Sequence, residues 1–290
     1  MKTINELISE VAASTAARRR IAAEDHALAV YKAHPKLASL DNDLVEVRKS
    51  KLIAAIEHDD KPVPALDARE KQLLLERQSY IKDNNIDPDF EEEKVICSSC
   101  GDSGYAKTKD GRTIVCPSCM SGVLEEAFNE AGMSDYSSYT IKAFSFDRFG
   151  DAKARKTKFA KVKALFEEEG RKGVAVYSDA SCAGKTYLAV VAVKYAIIEA
   201  KSAYYLKAED LERISDEKLD MLKGYRFVAI DDYSAESTFS RRTASALNSL
   251  LEARCANGRP TLIVSTSPYE DLVAGSDARI SGKILNAERI

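Results

Sequence analysis

No apolar run in this 290-residue sequence approaches the ~20 residues that a membrane-spanning helix needs. The amino-terminal stretch MKTINELISEVAAS is acidic and amphipathic and lacks an uninterrupted apolar core, so it does not read as a signal peptide. The expected compartment is the cytoplasm. A basic excess is missing too. Lys and Arg number 43 against 46 Asp and Glu, a net charge of −3, which excludes a uniformly basic nucleic-acid binder but leaves room for a local basic groove. Glycine is absent from the first 90 residues, and a long stretch without it favours helix.

The helical reading has detail. Ile4, Leu7, Ile8 and Val11 follow the i, i+3, i+4, i+7 spacing of one apolar face, and the pattern turns alanine-rich through Ala12–Ala29. His34-Pro35 ends it, because the residue before proline is pushed out of the helical region. A second segment runs from about Lys36 to Ile56. A third begins near Leu66, with Asp67 as its cap, and stops at Asn84-Asn85. Helices joined by such short breaks pack antiparallel. Residues 1–93 are therefore a helical segment, read either as added bulk or as a docking module. The arginines 18–20 read as a solvated face.

Residues 94–122 change character. Cys97-x2-Cys100 and Cys116-x2-Cys119 stand fifteen residues apart, the spacing of a Cys₄ zinc site. Two short strands around Lys109-Asp110-Gly111 form a hairpin between the pairs. So small a piece has too little core to fold alone, and bound Zn²⁺ would supply the missing stabilisation. Four protein ligands make that zinc structural rather than catalytic. The competing reading is unrelated thiols or a redox pair. Residues 123–150 follow as a short helix and an aromatic connector with Tyr136, Tyr139, Phe144, Phe146 and Phe149. Such a string either plugs a domain surface or stacks bases.

Residues 151–290 alternate helix and strand. Strands are expected at 173–178, 203–207, 226–232 and 260–266, with helices at 151–169, 185–200, 209–214 and 240–256, the last capped by Asn257-Gly258. The fold class is α/β, with a parallel sheet covered on both faces. Gly184-Lys185-Thr186 sits where a phosphate-binding loop belongs, after a strand and opening a helix. Lys185 would reach phosphate oxygens of ATP and Thr186 would hold Mg²⁺, with the helix amino terminus adding N–H groups and its positive dipole. The third strand ends Asp231-Asp232, suited to orienting the Mg²⁺ water shell and polarising an attacking water. Ser265-Thr266-Ser267 ends the fourth, either as γ-phosphate-sensing hydroxyls or as ordinary strand-end capping. The pattern G-x-x-x-x-G-K-[ST] asks for glycine at 179, where the chain has Asp179.

Taken in order, REKQLLLERQSYIKDNNIDPDF, CSSCGDSGY…CPSC, YTIKAFSFDRF, GKTYLA, AIDDYSAES, NGRPTLIVSTS and ARISGKIL resemble the bacterial and phage DnaC/DnaI-type helicase loaders. These are a branch of the AAA+ ATPases related to the transposition helper IstB. The resemblance implies an AAA+ P-loop domain over 151–290 that binds ATP and Mg²⁺ through Gly184, Lys185 and Thr186. Asp231 and Asp232 become its acidic pair, Ser267 stands in place of the sensor asparagine, and Arg279 is the finger that reaches a neighbouring subunit's γ-phosphate. It also implies a DnaB-type ring helicase as partner of residues 1–122, single-stranded DNA as partner of the AAA+ domain, and nucleotide-dependent self-assembly. The chain departs from the family at Asp179 and Cys182, where glycines are expected, and it stops at Ile290, where the family has a final strand and a further arginine. Those departures point to weak turnover. Alternative readings are an ATPase-inactive adaptor of the same fold and an IstB-like transposition helper.

Overall fold

The structure, a computed structural model, describes residues 3–58, 61–143, 151–167, 173–179, 183–234 and 240–290. Its contacts group the chain into two compact units, Ala12–Asp102 and Met1–Val11 with Ser103–Ile290.

The smaller unit is helical. Helix α1, Ile4–Ala33, contributes its length from Ala12 onward, and it stops where Pro35 forces His34 to φ −128° and ψ 71°. Pro35 then opens α2, Pro35–Ile56, since its missing N–H is one that a first helical turn leaves unused. Helix α3, Val63–Asp83, follows Pro62. Asp67 is not its cap. Pro64 already takes the start, and Asp67 lies inside the helix, paired with Lys51 at 2.5 Å. Leu40 and Leu44 of α2 bury against Leu73 of α3. Leu37 meets Ile81 and Phe90, with Tyr31 edge-on to Phe90 at 5.4 Å.

The larger unit begins its sheet structure with the expected hairpin, β1 (Tyr105–Lys107) antiparallel to β2 (Thr113–Val115). Helix α4, Ser121–Phe128, leads into an irregular helical turn over Asn129–Met133. Gly132 is required in that turn: its φ is +84°, and a Cβ there would run into the carbonyl of Tyr205. Helix α5, Ala152–Glu167, precedes β3, Val174–Ser178. Then come α6 (Lys185–Ile198), β4 (Ala203–Lys207), α7 (Asp216–Gly224), β5 (Phe227–Asp231), α8 (Arg241–Ala256), β6 (Thr261–Ser265), α9 (Tyr269–Gly275), α10 (Ala278–Leu285) and β7 (Glu288–Arg289).

The five strands β3 to β7 are all parallel, in the order β4-β5-β6-β3-β7. Apolar runs such as Val174–Tyr177 and Phe227–Ile230 are buried throughout, as a sheet covered on both faces demands. Helix α6 is buried from Leu188 to Lys194 and is correspondingly apolar nearly all round.

Two further expectations need correcting. The chain does have a final strand: Glu288 and Arg289 pair with Ala175 and Val176 of β3. And the helix expected at 209–214 is a single 3₁₀ turn, Ala208–Glu212, after which Ser215 caps α7 by accepting the Lys218 N–H at 3.1 Å. Among the described residues no helix is long and apolar enough to cross a membrane.

Candidate nucleotide and metal sites

From β3 the chain crosses through α6 to β4, at one edge of the sheet, whereas β7 lies on the other side of β3. Strand order therefore reverses at β3, and in open parallel sheets ligands bind outside the carboxyl ends of the strands at such a point. Gly184 sits there as the residue preceding α6, in the left-handed region with φ 77° and ψ 16°, a conformation glycine adopts without strain. Lys185 follows as the first residue of α6. It is buried, and its Nζ donates to the backbone carbonyl of Asp179 at 2.8 Å. Thr186 is half-buried in the same turn. Cys182, one of the two missing glycines, lies outside the described residues, as do Phe144, Phe146 and Phe149.

Asp179, the other missing glycine, has its carboxylate 3.0 Å from the Lys158 ammonium of α5. Arg155, one turn earlier on α5, is buried and donates to the carbonyl of Ala183. Burial, and next the Asp179 charge, push the neighbouring Tyr177 hydroxyl up to about 12. Sequence reasoning missed Lys158 and Arg155; the only available signal was a run of basic residues on a helix preceding the loop strand.

At the tip of β5, Asp231 is buried and one oxygen, Oδ2, accepts the Tyr205 hydroxyl at 2.8 Å. Tyr205, on β4, has its hydroxyl 3.3 Å from that of Tyr136, so the aromatic connector reaches the acidic tip through two tyrosines. Burial first, then the Asp231 charge, hold the Tyr205 hydroxyl protonated far above its ordinary range, which keeps it a donor. Asp232 is different. Its φ is +54° and its side chain is 59% exposed, with Lys207 at 3.9 Å. Partial burial and the Asp231 charge raise its carboxyl above the usual range, while Lys207 and Lys185 act to lower it. The Lys185 charge therefore acts on the Asp232 carboxyl.

Ser267 joins the strand tips. Its carbonyl accepts the Ser178 hydroxyl at 2.5 Å, its N–H donates to Ser265 Oγ at 3.0 Å, and its own hydroxyl lies 3.3 Å from that of Ser234. Arg279 is exposed near the start of α10, behind the Asp277 cap, and lines a groove with Arg241, Asn248 and Glu252. None of Gly184, Lys185, Thr186, Asp231, Asp232 or Ser267 lines that groove.

The connector is fixed to α6 by a second lysine. Lys194, buried, donates to the carbonyls of Tyr136 at 2.6 Å, Tyr139 at 3.0 Å and Ser137 at 3.1 Å. Tyr139 stacks on Tyr187 with ring centroids 4.1 Å apart. Tyr136 and Tyr139 therefore pack on the domain.

The ligand atoms of Cys97, Cys100, Cys116 and Cys119 all lie within 4.8 Å of one another. A tetrahedral ZnS₄ centre with Zn–S of about 2.3 Å places its sulfurs about 3.8 Å apart, so the cluster fits the ion with little movement. Local hydrogen bonds set each turn. Asp102 Oδ1 accepts the Cys97 N–H at 2.7 Å, Gly101 N–H donates to the Cys97 carbonyl at 2.9 Å, and the Cys116 N–H donates to the Gly104 carbonyl at 2.8 Å. Four soft, ionisable thiols with such braced backbones suit Zn²⁺.

No protein-family model matches the chain, and no curated protein matches it. Solved structures similar to it include the DnaC helicase loader, at 15% identity over 54% of this chain and 97% of that one with a TM-score of 0.45. DnaI is 22% identical over 52% and 89%, with a TM-score of 0.44. AMPPCP-bound DnaA from Aquifex aeolicus is 17% identical over 53% and 50%, with a TM-score of 0.46. The chain spans about half the length of that DnaA chain. Its chemistry has to be argued from its own residues.

Proposed function

We propose that this chain is a nucleotide-dependent AAA+ protein of the helicase-loader type, binding ATP at the carboxyl end of β3. The observation that carries the reading is the position of Lys185: first residue of α6, at the strand-order reversal, beyond the carboxyl end of β3. The α6 amino terminus offers N–H groups and its dipole to phosphate oxygens. Lys185 exchanges the Asp179 carbonyl for a phosphate oxygen. Thr186 and Asp231 would hold Mg²⁺, which when bound neutralises charge on the phosphates. In this reading Asp232, the exposed carboxylate, takes a proton from water, and Ser267 responds to the γ-phosphate. Arg279, exposed near the start of α10, would complete the site of a neighbouring subunit.

The zinc element is structural in this reading. Residues 1–122 dock a DnaB-type ring helicase, and the AAA+ domain engages single-stranded DNA onto which the helicase is delivered. Equilibrium binding of Mg-ATP with Lys185→Ala as control tests the site. Co-elution with a DnaB-type helicase, with and without nucleotide, tests the partner, and no complex in any nucleotide state rejects the loader.

A second reading, an adaptor that binds nucleotide without turning it over, is favoured by one observation. Asp231 is buried with an oxygen committed to Tyr205. ATPase rates measured with helicase and single-stranded DNA present separate the two: turnover abolished by Lys185→Ala eliminates the adaptor.

A further inference from the structure

The residue that breaks the phosphate-loop pattern is also one that the structure pairs with a cation. Asp179 continues the chain directly from β3, and its carbonyl is in contact with the Lys185 ammonium. A carboxylate at that place opposes a polyphosphate. It does not stand alone: its Oδ2 is 3.0 Å from Lys158 Nζ, both side chains being 29% exposed. Lys158 in turn lies over the Tyr177 ring, 5.2 Å from its centroid. Three positions earlier, on the same face of α5, Arg155 donates to the carbonyl of Ala183, just before Gly184. Helix α5 therefore holds the chain on both sides of the loop, by a charge at Asp179 and by a guanidinium at Ala183.

Resting on the reading of β3 and α6 as an ATP site, we propose that Lys158 is a positioning and specificity-determining residue for nucleotide, acting through Asp179. It draws the Asp179 carboxylate onto α5 and cancels its charge, so that the loop accepts a triphosphate despite lacking glycine at 179. Remove the ammonium, and Lys158 no longer offsets the Asp179 charge facing the phosphates. The penalty grows with phosphate charge, so ATP suffers more than ADP. It also shrinks with added salt, because the pair is partly exposed.

The test is a double-mutant cycle on the full chain, with Lys158→Gln, Asp179→Asn and the pair combined, reading equilibrium ATP and ADP affinities at low and high salt. Lys158→Gln is expected to weaken ATP binding about tenfold at low salt, with a smaller loss for ADP. Asp179→Asn alone is expected to bind ATP as tightly as wild type or a few-fold tighter, and the double variant to return to within about twofold of Asp179→Asn. Thermal melts check that each variant folds. Should Lys158→Gln fail to fold, Asp179→Asn decides alone, and weaker ATP binding by it overturns the proposal. So does a double variant as weak as Lys158→Gln, since Lys158 would then act on the nucleotide directly. Unchanged ATP binding in Lys158→Gln overturns it while leaving the ATP site standing. A wild-type protein that binds no ATP removes the site and the proposal together.

Discussion

The four-cysteine element and the phosphate loop show two ways of building a site. The cysteines carry the whole donor set, and neighbouring backbone groups brace them. The proposed phosphate site is spread over the ends of β3, β5 and β6 and the start of α6, and it leans on residues from elements that contain no part of the motif. Lys158 of α5 answers Asp179, and Tyr205 of β4 answers Asp231. A site complete within one short segment fails by losing its metal. A site assembled from strand ends, such as the proposed one, depends on supports from a distance.

The largest expected effect falls on the self-contained element. Cys116→Ser should abolish binding of one Zn²⁺ per chain. It should also strip exchange protection from residues 97–119, since structural zinc sites of this kind contribute about 10 kcal/mol or more of apparent binding energy. Metal analysis and hydrogen exchange check it, and retained protection without zinc would erase the contrast between the two sites. Tyr205→Phe should act on the assembled site alone. It removes a donor from buried Asp231 and is expected to lower unfolding free energy by about 1–3 kcal/mol, with zinc content unchanged. Denaturant titration reads it.

Asp232→Asn should have the smallest effect and the opposite sign. A carboxyl raised in the folded state favours folding when protonated, and that advantage is lost as pH rises through the raised value. The neutral amide escapes the loss. The variant should therefore be slightly more stable than wild type at pH 7, by a few tenths of a kcal/mol for so exposed a group, with the difference fading below pH ~4. Asn also tolerates the positive φ at 232. Melts across that pH range would expose a constant difference, which contradicts the assignment.

Much of the framework is legible in the sequence, because the sheet is buried on both faces and its strands are short apolar runs between polar breaks. Ala203–Lys207 is expected and found with the same bounds. His34-Pro35 marks a helix break that backbone sterics enforce. The two-residue β7 is not legible. It has no propensity of its own and exists as a strand only because β3 offers it a partner edge. Asp67 misleads because acidic residues serve caps and helix-surface ion pairs alike, and Pro64 decides between them. The supports of the nucleotide site are hidden for a further reason. Lys158 and Asp179 are 21 residues apart and Tyr205 and Asp231 are 26 apart, on separate elements whose juxtaposition follows only from the strand order.

The most direct test of the account is a calorimetric titration of Mg-ATP into the wild-type protein and into Lys185→Ala. Saturable binding by the wild type is expected, with a loss of at least about thirtyfold on removing an ammonium that pairs with phosphate. Equal binding by the two proteins, or none by the wild type, would contradict it.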